Sequence, residues 1–490
     1  QTYIPMYVSV KWRNEANNTG LQTKRVGRGE TVRFEYNMPT ATDQEIIVYA
    51  GYYLKSLGDV SNLEPTSMLI ANASRLTEIT CHSPNLINTD LSECKLLQRI
   101  DLSDSTALGT GLGAQPTLKI QNCKYLKYCN CHNTKLTAIY TMAQGGNLEE
   151  IYYPASTQVI QLQNQEYLHT VGIPYDESKD IACKNLQQVT IENCKNVKYI
   201  QYPFEVGEPL NFKAFKYVQN LNLENSLDGL TAMKFTGFNE LKTVRLSSLE
   251  NLSSLNFDDM LQIFEESKLT SIEVSDCPLI TTVTFNVSNA DRYKVEFAQG
   301  CNINLGGVRT IKTIECNTNI IGLDTLIIPT STKELKFIRT ASGEVNDIKS
   351  IFSATANHAF DGFVGLDLKD IELTYLDMSS LGITSALNFY IAPTTQHPNL
   401  NTYRDGVNQP YFCPEGELDL TNYEGNMRAM FKGLDFNKLK IKMPCLISME
   451  GDINTPRLPS YKVKKTVGND VVKILTFDDF DDQNPDNYGL

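Results

Sequence analysis

Apolar positions along this 490-residue chain repeat a short phrase. Two copies are nearly identical: LKIQNCKYLKY over Leu118–Tyr128 and VTIENCKNVKY over Val189–Tyr199. Each opens with an apolar–polar alternation, passes through Asn-Cys-Lys and starts a second alternation. From Leu76 onward the kernel is L-x-x-I-x-L. It recurs at Leu76–Ile79, Leu97–Leu102, Leu136–Ile139, Leu148–Ile151, Leu168–Val171, Leu186–Ile191 and Val197–Ile200. It continues at Val218–Leu223, Leu241–Leu246, Leu252–Phe257, Leu269–Val274, Ile280–Phe285 and Ile311–Ile314, with looser copies at Leu323–Ile328 and Leu373–Met378. Self-similarity at a short fixed period marks a repeat architecture.

Neighbouring kernels often lie eleven residues apart, as at Val189, Ile200, Leu221, Met233, Val244 and Leu255, where one step is double. That step is too short for strand–helix–strand and suits strand–turn–strand. One coil is then about 22 residues, near the leucine-rich-repeat range. The alternation turns Val189 and Ile191 inward and Thr190 and Glu192 outward. A short strand cannot cover its own apolar edge, so stability must come from coils stacked on one another. The pattern predicts a mostly β chain: an irregular, leucine-rich-repeat-like parallel β-solenoid, with a small N-terminal β module and a less regular C-terminal region.

Asn122-Cys123, Asn193-Cys194, Glu93-Cys94, Asp276-Cys277 and Asn225-Ser226 share one phase of the repeat. A small side chain fits a crowded corner, and the residue before it can bond the turn's exposed backbone groups. Stacked corners would form a ladder of such bonds, with the cysteines as small buried hydrophobes.

Four regions are expected. Residues 1–60 form the β module, with strands at Tyr7–Trp12, Thr31–Tyr36 and Glu45–Tyr49 and a solvated Lys24/Arg25/Arg28/Arg33 face. Residues 61–340 form the solenoid, and 341–460 continue it irregularly with short helices at Asn346–His358 and Met427–Leu434 and rungs at Leu418–Leu420 and Leu439–Met443. Residues 461–490 give a strand and an acidic tail. Segments 104–116, 172–184 and 202–209, rich in Gly, Pro and acids, read as loops on one edge, where function concentrates.

Composition narrows the chemistry. With 41% hydrophobic and 21% charged residues the chain is an ordinary globular mixture. No apolar run of about 18 residues exists, so no membrane span is expected. A net charge of −13 without a basic stripe argues against gripping nucleic-acid phosphates. The chain starts at Gln1 rather than Met, so a processed form or a piece of a longer polypeptide is expected. GTGLGA (109–114) lacks the strand, helix and acidic partner of a nucleotide loop. P-loop, H-E-x-x-H and G-x-S-x-G motifs are absent.

Cys123, Cys129, Cys131 and His132 are the best metal candidates, yet Cys129 and Cys131 would share the inward face of one strand, which favours core packing. His82, His169, His358 and His397 read as surface or loop residues. Asp478, Asp479, Asp481, Asp482 and Asp486 miss the calcium-loop spacing and read as a solvated tail. No catalytic, cofactor or metal residues are expected, and no enzyme. Tyr125, Tyr128, Tyr140, Tyr152, Tyr153, Tyr199 and Tyr202, with Tyr167, are enriched at strand ends. They mark a candidate contact face for carbohydrate or protein, because tyrosine offers a flat apolar body with a polar tip.

The stretch IIVYAGYYLKSLGDVSNLEPTSMLIANASRLTEI (46–79), the irregular L-x-x-I-x-L-x-N-C rungs and VIQLQNQEYLHTVGI (159–173) resemble leucine-rich-repeat tail or minor structural proteins of gut bacteriophages. The resemblance spans roughly residues 40–330. It implies a virion tail component, a scaffold and docking surface whose expected partners are other tail subunits and a host-surface glycan or protein. BspA-like leucine-rich surface proteins of gut bacteria share such rungs, implying instead an adhesin on the outer cell surface. This chain lacks their repeated F-x-x-C strings and near-identical copies.

Overall fold

The computed structural model describes residues 1–14, 19–35, 44–50, 53–70, 73–110, 116–204, 210, 212–235, 238, 240–257, 267–286, 294–316, 319–337 and 348–355. Beyond these it describes residue 371 and the strands at 365–368, 375–377, 388–391, 400–401, 416–419, 439–443 and 473–475. Among the described residues there is no α-helix, only strands and 3-10 turns. None therefore forms a helix long and apolar enough to cross a membrane. The chain divides into two compact units, Gln1–Gly229 and Leu230–Leu490.

The first unit opens with a three-stranded antiparallel sheet, Met6–Asn14 lying between Thr19–Val26 and Gln44–Tyr49. Thr19–Val26 was hidden from the sequence reading by Gly20 and by Lys24 and Arg25, which blur its alternation. The strand expected at Thr31–Tyr36 does not form over residues 31–35. That segment instead meets Lys24, whose ammonium lies over the Phe34 ring and donates to the Arg33 carbonyl at 2.7 Å. Arg33 pairs with Glu35 at 3.0 Å in full solvent, as a solvated face should.

The stack follows. One parallel sheet joins Ser56–Asp59, Glu78–Thr80, Arg99–Asp101, Tyr128–Asn130, Glu150–Tyr152, Thr170–Asp176 and Tyr199–Tyr202. Opposite it run Thr117–Lys119, Ala138–Tyr140, Val159–Gln163, Gln188–Glu192 and Asn220–Glu224. Register is exact in the core: Ile79, Ile100, Cys129, Ile151 and Val171 are successive neighbours, and each is 1% exposed or less. Val189 and Ile191 turn inward and Thr190 and Glu192 outward, as the alternation predicts.

The eleven-residue step belongs to one edge of the coil only. It separates Leu118 from Cys129, Ile160 from Val171 and Val189 from Ile200, passing from the second sheet to the first. The return arcs vary. Ile151 to Ile160 takes nine residues, Ile100 to Leu118 and Val171 to Val189 take eighteen, and Ile200 to Leu221 takes twenty-one. All three expected loop segments fall on these return arcs. Segment 172–184 is corrected, however: Thr170–Asp176 is a strand and residues 170–175 are buried. A 3-10 turn at Glu177–Lys179 follows, then Ile181–Ala182 pairs back antiparallel. Pro174 and the acids that follow disguised the strand.

Each constant edge is a tight turn. The N–H of Leu97, Leu126 and Ile280 reaches back to the carbonyl of Cys94, Cys123 and Cys277 at 3.1–3.4 Å. The very next residue then bonds the coil before it: Lys127 N–H to the Gln98 carbonyl, Glu149 to Lys127, His169 to Glu149, and Lys198 to His169. Buried backbone groups must be paired, and these corners pair theirs from coil to coil.

The second unit repeats the scheme. Thr243–Ser247, Ser271–Ser275, Lys294–Gly307, Asn319–Ile328, Ser350–Ser353, Gly365–Leu368, Asn388–Ile391, Gly416–Asp419 and Leu439–Met443 pair in parallel. Lys473–Leu475 pairs antiparallel on the last of them. The opposing sheet joins Ala232–Lys234, Ser254–Asn256, Thr282–Phe285, Thr313–Cys316, Glu334–Phe337, Tyr375–Asp377 and Leu400–Asn401. Eleven residues again separate Val244 from Leu255, Ile272 from Val283 and Ile303 from Ile314. Inside, Phe235, Phe257 and Phe285 stack nearly parallel at 4.9 Å spacings.

The helix expected at Asn346–His358 is overturned. Ser350–Ser353 is a strand on Thr325–Ile328, with Ile351 and Phe352 buried. Pairing with an existing sheet edge outweighs the weak local helical pattern. The rung at Leu439–Met443 forms, and Gly416–Asp419 overlaps the expected Leu418–Leu420. Met427–Leu434 and the acidic tail lie outside the described residues.

Candidate interaction face

The outward side of the first unit's leading sheet carries a line of aromatic rings. Strand alternation sets it: with Ile100, Cys129 and Ile151 inward, their neighbours Arg99, Asp101, Tyr128, Asn130, Glu150 and Tyr152 face out. The Arg99 guanidinium lies 3.7 Å from the Tyr128 ring centre. Tyr128 and Tyr152 are 5.8 Å apart, Tyr152 and Tyr202 5.4 Å, Tyr202 and Phe204 5.8 Å, and Tyr199 and Phe204 5.0 Å. The His132 ring meets Tyr202 edge-on at 5.2 Å. Tilted and edge-to-face arrangements of this kind suit the ring quadrupoles.

Gly172 makes the line continuous. The strand Thr170–Asp176 lies between those bearing Tyr152 and Tyr202. A Cβ on Gly172 would come 2.3 Å from Cδ1 of Tyr152. The missing side chain leaves the place where the Tyr152 ring lies down and reaches Tyr202 across a strand.

Polar groups along the line are largely matched. Arg99 Nη2 donates to Asp101 Oδ2 at 2.9 Å. The other oxygen of Asp101 accepts from Ser103 Oγ at 2.8 Å. His82 Nδ1 lies 2.9 Å from the Ser103 carbonyl. Tyr152 donates its hydroxyl proton to Glu150 Oε2 at 2.9 Å. Burial, and then the Glu150 carboxylate, push the Tyr152 phenol well above its ordinary range. Burial, followed by the charge of Asp101, raises that of Tyr128. Both phenols keep their protons at physiological pH and serve as hydrogen-bond donors.

The structure brings together Tyr128, Tyr152, Tyr199 and Tyr202 of the predicted set. Tyr153 leaves it: it is fully buried, turned inward beside Cys129 and Cys131. Tyr140 lies half-buried on the opposite sheet. Tyr125 and Tyr167 stand exposed at the constant corner, away from the ring contacts. Sequence reasoning missed Arg99, His132, Phe204 and Gly172. Only the strand register, not the repeat period, aligns them.

The residues weighed for metal binding are spread apart. Cys129 and Cys131 point inward and are fully buried, their sulfurs 4.0 Å apart. His132, next along the alternation, points out to Tyr202. The Cys123 thiol donates to the Cys94 carbonyl at 3.6 Å. The hydrogen bond shared with Cys131, and then burial, hold the Cys129 thiol well above its ordinary value. Burial alone lifts Cys183 and Cys301 to about 12. Thiols so held are protonated at neutral pH and pack as small hydrophobes. His82 and His169 are half-buried, and His169 Nδ1 lies 2.9 Å from Thr170 Oγ1. His358 and His397 lie outside the described residues.

No protein-family model matches the chain, and no curated protein matches it. Among solved structures, the functional domain of InlJ from Listeria monocytogenes, which includes a cysteine ladder, aligns at 14% identity and a TM-score of 0.24. The alignment covers 76% of this chain and 69% of that one. At that level no residue-by-residue inference passes between them. The β-solenoid architecture follows from the strand pairing itself.

Proposed function

We propose that this protein is a non-enzymatic interaction scaffold, and specifically a structural component of a bacteriophage tail that docks other virion subunits and contributes to host attachment. The observation that carries the scaffold reading is the contrast between interior and face. Among the described residues, the interior of the coils is filled mainly by apolar side chains and thiols. Outside, one sheet offers a line of aromatic rings with tethered hydroxyls and carboxylates. Stacked-coil proteins use such extended lateral surfaces for binding. The tail assignment rests on the rung style of residues 46–79 and 159–173.

Antibody-gold electron microscopy of purified virions, with mass spectrometry of their proteins, tests the assignment. Regular labelling of the tail supports it. Absence from virions together with labelling of intact bacterial cells would replace it with a cell-surface adhesin.

A further inference from the structure

We infer that the ring line binds a neutral carbohydrate chain, an oligosaccharide of uncharged pyranoses lying across the strands of the sheet. This rests on the reading of that line as a contact face and names the chemistry of its partner.

Three observations carry it. The first is direction. Tyr128 and Tyr152 come from successive parallel strands and Tyr202 from the strand two further along, so the rings run along the stack from Tyr128 to Tyr202 at 5.4–5.8 Å intervals and end in Phe204 and Tyr199 at the last strand. Strands lie about 4.8 Å apart, and Tyr152 and Tyr202, two strands apart, still come within 5.4 Å because Gly172 puts no side chain between them. A linear partner with a repeating flat unit fits such a track better than a compact one.

The second is the character of the surface. Each ring offers an apolar body, and most carry a polar tip. A pyranose matches this with C–H faces and equatorial hydroxyls. Tyr199 and Phe204 are the most open rings, 39% and 42% exposed.

The third is charge. The guanidinium on the line, Arg99, stays 44% exposed but is paired with Asp101 and stacked on Tyr128, so its charge is balanced within the line. Asp101 is spent on Arg99 and Ser103. Beside the rings themselves, Glu150 has one oxygen engaged by Tyr152. A single carboxylate oxygen is a poor anchor for a basic peptide and a good acceptor for a hydroxyl. It also repels anions. The remaining polarity suits a partner that is uncharged and rich in donors.

Isothermal titration with cellohexaose, maltohexaose and chitohexaose tests the proposal, with hexagalacturonate and a lysine-rich peptide as charged comparators. At least one neutral hexamer should bind. A Tyr199→Ala/Phe204→Ala variant should lose about tenfold or more in affinity, with an unchanged melting curve, while Tyr140→Ala binds normally. As a check free of mutation, the bound hexamer should slow tetranitromethane nitration of Tyr199 and Tyr202 in the wild-type protein but not of Tyr125 or Tyr167. Failure of all neutral hexamers at millimolar concentration, full binding by the double variant, absence of protection, or preference for either charged comparator would each overturn the proposal. If gold labelling still places the protein on the tail, the scaffold reading survives that failure.

Discussion

Asn225 donates from Nδ2 to Oδ1 of Asn193 at 2.7 Å, and Asn193 donates in turn to Asn164 at 2.9 Å. Asn164 passes the chain on to the Ala143 carbonyl. All three asparagines occupy the left-handed region, with φ of 45°, 52° and 53°. Asparagine suits the site twice, because it tolerates that conformation and its amide can both give and accept.

The two roles separate by substitution. Asn193→Gly should lose only the ladder bonds, about 1 kcal/mol each. Asn193→Ala should lose those and add about 1 kcal/mol of backbone strain. Urea denaturation of the two variants should therefore rank glycine above alanine. Equal midpoints would mean the turn conformation is not what selects asparagine.

Gly172 and Tyr152 should behave as one unit. Gly172→Ala forces the Tyr152 ring to move and is expected to cost about 1–3 kcal/mol. Adding Tyr152→Ala removes the obstacle, so the double variant should be less destabilised than the two single losses together. A double-mutant cycle by thermal melting measures the coupling; strict additivity would show that the ring does not rest on that glycine.

Tyr153 buries a hydroxyl that has no hydrogen-bond partner among the described residues. Leaving such a group unpaired costs about 1–3 kcal/mol. Tyr153→Phe keeps the ring and removes the penalty, so its denaturation midpoint should rise. A fall in midpoint would reveal a bridging water or other partner for the phenol.

The cysteine corners set an alkaline limit. Burial raises Cys94 and Cys123 to about 12 and Cys194 to about 11. A raised pKa means the fold favours the protonated thiol. That stabilisation is complete below the unfolded thiol's value of about 8.5. It declines as pH climbs from there toward the folded values. Denaturation midpoints should be flat from pH 7 to 8 and fall steadily above pH 9. Native protein should react with no thiol reagent at these positions at pH 8, and denatured protein should react at all of them. Prompt labelling of the native corners would mean the turns open in solution.

Much of the architecture was legible because its cause is local. The alternation in Val189–Glu192 states which side chains are buried, and Asn-Cys-Lys states where the coil turns. Corner bonds at Asn193 and Asn225 were expected to reach backbone groups of the turn; the structure links the two amide side chains to each other instead and extends the ladder to Asn164, where Gln165 replaces the cysteine. Legibility ended where cause became non-local. Ser350–Ser353 becomes a strand because Thr325–Ile328 offers it an edge. Tyr152 meets Tyr202 fifty residues away because the register places Gly172 between them. Tyr153 differs from Tyr152 only in parity, and the tyrosine enrichment alone did not resolve which of the pair faces out.

The unequal arcs of the first unit carry a consequence for how such a chain can change. One margin of each coil is held near a single length, while the other lengthens from nine residues to twenty-one and the strands on either side still pair in parallel. New sequence can therefore enter at the loose margin and leave the bound one untouched. In this respect the unit resembles a book whose pages differ in width but share a spine, so novelty accumulates at the fore-edge while the binding stays conserved in form.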